Sequence, residues 1–131
     1  MELLVTRALL HQLRDRAAAA HPREACGILL GRDDRIAEAR GCANVHPDPA
    51  SHFEIDPQAL IDAHRAARAG GPAVIGYYHS HPQGAAEPSA ADRASAACDG
   101  RVWAIIAGQE VCFWRDGERG FLPLSYSVTD G

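Results

Sequence analysis

The sequence predicts a single α/β domain over residues 1–131, a mixed β-sheet flanked by helices. Three observations predict it. Short apolar runs with the character of buried strands are interleaved with segments of helical period. The chain is long enough to bury about two-thirds of its unfolded surface around one core, and too short for a second core. Its 47% hydrophobic and 23% charged residues are those of an ordinary globular protein, and no repeat or low-complexity linker divides it.

The elements follow in order. Leu9, Leu10, Leu13, Ala17 and Ala20 recur at helical spacing after Thr6, a suitable N-cap, and the His21-Pro22 step stops that helix. Ala25 to Leu30 is continuously apolar between Pro22 and Gly31, which predicts a buried strand, and a second strand is expected over Arg35 to Asn44. Pro47 and Pro49 make Val45 to Ser51 a loop, followed by a short strand at His52 to Ile55. Asp56 and Pro57 are an N-cap and an N1 proline, opening a second helix that runs to about Ala69 before Gly70-Gly71. Ala73 to His81 is apolar on both faces until its end and is stopped by Pro82, as in a central strand. Pro88-Ser89 starts a third helix through about Cys98. Strands are expected at Val102–Ala107, Val111–Trp114 and Phe121–Tyr126, with Asp116-Gly117 as a hairpin signal between the last two.

Charge and composition exclude several functions. With 13 basic against 17 acidic residues, a net charge of -4, the chain lacks the Lys/Arg excess that neutralises phosphates, so nucleic acid is not an expected partner. No apolar run approaches the roughly 18 residues of a membrane span. The amino-terminal segment, with Glu2 early, does not have the form of a signal peptide. Cys26, Cys42, Cys98 and Cys112 are scattered and form no CxxC pair, so free and mostly buried thiols in the cytoplasm are expected. Nothing beside Cys26 marks it as a nucleophile.

The chemistry concentrates between residues 79 and 92. Residues two apart on a strand point to the same side, so His79 and His81 present two imidazoles to one point while Ser80 points away. Seven residues separate His81 from Ser89 and two separate Ser89 from Asp92. A helix starting at Ser89 would bring a hydroxyl and a carboxylate back towards the end of the strand. Two imidazoles and one carboxylate are a ligand set for Zn2+ that leaves one tetrahedral position open, as catalytic sites do. Each residue also has a plainer reading. Ser89 and Asp92 are equally an N-cap and its N3 partner, two uses that compete for the Asp92 carboxylate, and Glu24 alone is a solvated charge.

The order Glu24, His79-Ser80-His81-Pro82, Ser89 and Asp92 resembles the JAMM (MPN-plus) metallopeptidase family, whose motif is E, a long gap, H-[ST]-H, seven residues, S, two residues, D. The flanking His21-Pro22-Arg23-Glu24-Ala25-Cys26-Gly27 and Ile75-Gly76-Tyr77-Tyr78 look like its short prokaryotic branch. The resemblance implies the MPN/JAB fold, a cytidine-deaminase-like α/β arrangement. It implies one zinc ion per chain on His79, His81 and Asp92, Glu24 taking a proton from the zinc water, and Ser89 helping to hold the oxyanion or the water. Those roles are the ones amide hydrolysis requires.

The substrate expectation is also carried by the resemblance. Short members of the family act at the C-terminal Gly-Gly of ubiquitin-like or sulfur-carrier proteins, and the seven-residue gap here leaves no room for a long insertion. The Asn44–Phe53 loop could border the substrate groove or be an ordinary connection. Three rival readings differ in specific ways. A zinc deaminase needs an H-x-E with a later PCxxC for the metal, and this chain has no PCxxC. A RadC-like, DNA-repair-associated protein shares the pattern from His79 to Asp92, including Gly84 and Pro88, but the acidic balance opposes it. An inactive scaffold of the same fold would lack ligands that are all present here. Oligomeric state is not expressed in the sequence.

Overall fold

The structure, a computed structural model, describes residues 2–130. The alternation of side chains along one strand explains the architecture. Strand β2 (Cys26–Arg32) sends Cys26, Ile28 and Leu30 to one apolar cluster and Leu29 to another, so the sheet is covered on both faces. Helix α1 (Arg7–Ala20) packs Leu9, Leu10 and Leu13 on the Leu29 face. Helix α2 (Pro57–Arg68) packs Ala59, Leu60 and Ala63 on the other. This is the mixed, helix-flanked sheet the sequence predicts.

Eight strands form one sheet. Besides β2 they are β1 (Leu3–Thr6), β3 (Arg35–Cys42), β4 (Ala73–Ser80), β5 (Val102–Ala107), β6 (Glu110–Gly117), β7 (Gly120–Leu124) and β8 (Tyr126–Thr129), in the order β7-β6-β5-β4-β2-β3-β1-β8. Central β4 runs antiparallel to β2 and parallel to β5. A third helix, α3, is short (Ala90–Ser95).

Several expectations are corrected. Leu3–Thr6 is a strand that the helical pattern after it obscures, although Leu3 and Val5 are buried at period two. The apolar stretch Phe121–Tyr126 is two strands broken at Ser125. β7 pairs with β6 at one edge of the sheet, and β8 pairs in parallel with β1 at the other. The edge position of β7 is what tolerates Pro123. The hairpin turn is Glu118-Arg119 rather than Asp116-Gly117. Asp116 is instead buried, and its Oδ2 accepts hydrogen bonds from the Ala97 and Cys98 amides. Those bonds end α3 before the expected Cys98, with Ala96 in extended backbone and Cys98 at φ 57°. β3 stops at Cys42, and His52–Ile55 contributes only the isolated bridge Asn44–Ile55. All four cysteines are free, as expected, but Cys26 alone is buried and Cys98 is exposed.

Candidate metal centre

The antiparallel register of β2 and β4 places the site. Cys26 faces His79 across that pair, so continuing the register by two residues sets Glu24 opposite His81. The continuation is held by two hydrogen bonds. The Ser80 amide donates to the Ala25 carbonyl (3.0 Å), and the Ala25 amide donates to Ser80 Oγ (2.8 Å). Ser80 does point away from the histidines, yet it is buried and ties the Glu24 segment to the end of β4. Position 80 carries no sequence signal for that job beyond its hydroxyl.

His79 is the penultimate residue of β4 and His81 lies just past the strand's end. Their Nε2 atoms are 3.1 Å apart, and Asp92 Oδ2 lies 3.0 Å from the first and 3.2 Å from the second. The same Oδ2 accepts the Ser89 amide (2.9 Å), while Ser89 Oγ accepts the Asp92 amide (3.1 Å). The cap and the cluster are therefore not alternatives: one carboxylate oxygen takes part in both. Capping fixes the rotamer that carries Oδ2 to the histidines.

The residues fit a metal on chemical grounds. Only a ring N–H can bond the Ala85 carbonyl, so His81 Nδ1 is the donor there (2.8 Å) and a neutral His81 has its lone pair at Nε2. That lone pair faces the Asp92 carboxylate, an acceptor against an acceptor, and the space between them calls for a cation. Tetrahedral zinc with bonds of about 2.0–2.2 Å separates its ligands by about 3.3 Å, close to the triangle of 3.0–3.2 Å seen here. Two imidazoles and a carboxylate are zinc-type donors. His79, His81 and Asp92 form a group able to hold a metal ion.

Burial and the neighbouring polar groups together set the protonation of the cluster. For His79, fully enclosed, burial disfavours charge and holds its pKa down despite Asp92. In His81 burial is outweighed by the Asp92 carboxylate and the Ala85 carbonyl, which push it up. Asp92 also suffers burial, but the two imidazoles beside it and the Ser89 amide hold it well below the usual carboxylate range. Glu24 is pushed up to about 7 by burial, with His81 opposing and Asp92 adding to the rise. A carboxylate poised near neutrality is suited to accept and return a proton. Cys26 begins β2 two residues after Glu24, but burial pushes its thiol up to about 12 and it donates towards the Cys42 and Ala43 carbonyls, so it is not an activated nucleophile.

Three further residues support the site. Phe53 stacks on His79 (centroids 4.3 Å apart, planes 16° apart), and Trp103 meets the same ring edge-on at 5.6 Å. Among the described residues His79 Nδ1 is buried with no hydrogen-bond partner, so aromatic packing, not a second hydrogen bond, orients this ring. Asn44 donates to the Glu24 and His52 carbonyls, and the Glu24 amide donates to the Pro49 carbonyl, which draws the Asn44–Phe53 loop against the site. Ala50 and Ser51 of that loop line a cleft of about 600 Å³ together with Glu24, His81 and Ser89.

Comparison with known proteins agrees with this architecture. A family described as prokaryotic homologues of the JAB domain matches residues 6–117. A desampylase of Haloferax volcanii is 35% identical over 102 residues, 76% of this chain and 73% of that protein. A probable TtuB-protein conjugate cleaving protease of Thermus thermophilus is 35% identical over 120 residues, 92% of this chain and 75% of that protein. The crystal structure of a JAB1/MPN domain protein from Archaeoglobus fulgidus shares the fold, with a TM-score of 0.65 and 20% identity over 96% of this chain and 98% of that one. The fold, the arrangement of the site and the matched span together establish that the chain belongs to the family of prokaryotic homologues of the JAB domain.

Proposed function

We propose that residues 1–131 act as one zinc-dependent peptidase or isopeptidase domain. It hydrolyses the amide bond after the C-terminal Gly-Gly of a ubiquitin-like or sulfur-carrier protein. The observation that carries this reading is the convergence of His79 Nε2, His81 Nε2 and Asp92 Oδ2 within 3.2 Å of one another, beside a buried Glu24. The names of the Haloferax and Thermus relatives support the substrate class. The free thiols suit a reducing cytoplasm, and no helix among the described residues is long and apolar enough to cross a membrane.

His79, His81 and Asp92 would hold one zinc ion, which when bound lowers the pKa of water towards about 7 and polarises a carbonyl. The protein groups supply the rest. Glu24 takes a proton from the attacking water and returns it to the departing amine nitrogen, and its raised pKa makes both transfers accessible near neutral pH. Ser89 Oγ accepts from the Asp92 amide, and its O–H, which donates to no group among the described residues, can donate to the oxyanion of the substrate carbonyl. Gly84 and Ala85 contribute little side-chain bulk to the lining of the cleft, which suits a glycine tail.

The test is hydrolysis of a carrier protein fused to a second protein after its terminal Gly-Gly. The expected outcome is cleavage after the second glycine, lost with a chelator and recovered with added zinc. Cleavage indifferent to the chelator would contradict the reading.

A further inference from the structure

A second cavity, of about 550 Å³, lies on the other side of Glu24, between the end of α1 and the adjoining ends of β2 and β3. Its size is that of a small-molecule site. Its shape depends on glycine. Gly27 and Gly41 face each other across β2 and β3, and Gly27 also faces Tyr78 on β4. A side chain at Gly27 would collide with the Tyr78 ring, and one at Gly41 would collide with Arg16 Nη1. The Tyr78 ring therefore extends across Gly27, and its hydroxyl reaches 3.5 Å from the Cβ position of Gly41, beside the Arg16 guanidinium.

Tyr78 is 1% exposed, and among the described residues its hydroxyl has no hydrogen-bond partner although it lines the cavity. The hydroxyl opens onto the cavity, so a ligand entering it meets a donor that no protein group among the described residues has taken. Arg16 and Arg23 line the same cavity. Their guanidinium groups form no ion pair among the described residues, in contrast to Arg7, Arg40 and Arg101. Glu24 is the one acidic residue in the lining, and the charges acting on its carboxylate are those of His81 and Asp92 on the side of the metal cluster. The cavity thus offers two free cations and a hydroxyl donor with no anion of its own aimed at them.

We propose that this cavity binds a small molecule bearing an oxyanion, a carboxylate or a phosphate, held by Arg16, Arg23 and the Tyr78 hydroxyl. Arg16 supplies a planar fork that matches either group, and Tyr78 supplies one fixed donor from below. The site is separate from the catalytic cleft and shares only the Glu24 wall with it. It does not depend on the peptidase reading.

The experiment is a titration of the zinc-loaded protein with inorganic phosphate and, separately, with glutarate, following the Arg16 Nε–H resonance by NMR and the affinity by calorimetry. Saturable binding of at least one probe is expected, with the Arg16 resonance shifting. The preferred probe then distinguishes a phosphate from a carboxylate ligand. Arg16→Gln should weaken binding about tenfold or more, and Tyr78→Phe about three- to tenfold, since each removes a donor to a charged group. Arg14→Gln, whose side chain bonds the Gln109 carbonyl instead, should bind like the wild type. Melting curves confirm that each variant is folded. Absence of saturable binding of both probes, or binding unchanged in Arg16→Gln because the anion sits at the metal cluster, overturns the proposal.

Discussion

At the scale of single residues, Asp92 has the most demanding position. One oxygen caps α3 and also lies in contact range of both histidines. The sequence showed the two uses as competitors, because spacing does not reveal that one lone-pair arrangement serves both. His79→Ala and Asp92→Ala should each lose stoichiometric zinc, as metal analysis after gel filtration will show; a full equivalent retained in either would remove that residue from the ligand set. Asp116 has a different consequence. Burial raises its pKa, more than the Ala97 and Cys98 amides lower it, and Asp99 adds to the rise. The folded chain therefore holds this proton more tightly than the unfolded chain. The stability it contributes is present below the usual carboxylate pKa and is lost as pH rises through the raised value. Asp116→Asn, which keeps an acceptor oxygen, should gain in urea midpoint relative to the wild type as pH rises from about 3 to about 6. A difference that does not change with pH would rule this out.

At the scale of elements, the strand-to-strand ties matter most. Ser80 fixes the entry to β2 against the exit of β4, and with it the position of Glu24. Ser80→Ala leaves the buried Ala25 amide without its side-chain partner. The expected cost is about 1–3 kcal/mol in denaturant unfolding, with turnover falling while zinc content stays at one equivalent. Unchanged stability and turnover would show that the tie is dispensable. The loop carrying Phe53 makes the corresponding contact on the other side. Phe53→Ala removes the stack that orients His79, and chelator competition should reveal zinc affinity lower by about tenfold, at the low end of effects from groups that orient metal ligands. Sequence pattern made this loop visible through its prolines but gave no means of assigning Phe53 to the histidine, because that contact is made only after the chain has turned back over β4.

At the scale of the whole molecule, the sheet brings together residues 24, 79, 81 and 92, which the chain separates. The strands around the histidines and two of the helices were legible because their periodicities are local. The adjacency of β2 and β4 was not, since hydrophobic pattern gives strands without neighbours. For the same reason Phe121–Tyr126 looked like one strand: β7 and β8 share an apolar run but lie at opposite edges of the sheet. The candidate site was legible in its histidine pair from strand geometry. Glu24, Ser89 and Asp92 became interpretable through the family spacing, and the register of β2 on β4 now gives Glu24 a physical reason to be there. The central claim is that Glu24 moves protons beside a metal it does not hold. Its most direct test measures zinc content and cleavage of the Gly-Gly fusion on the same samples of wild type and Glu24→Gln. One equivalent of zinc in both, with turnover in the variant lower by about 10²–10⁴-fold, is the predicted result. Turnover retained in Glu24→Gln at full zinc content would contradict it.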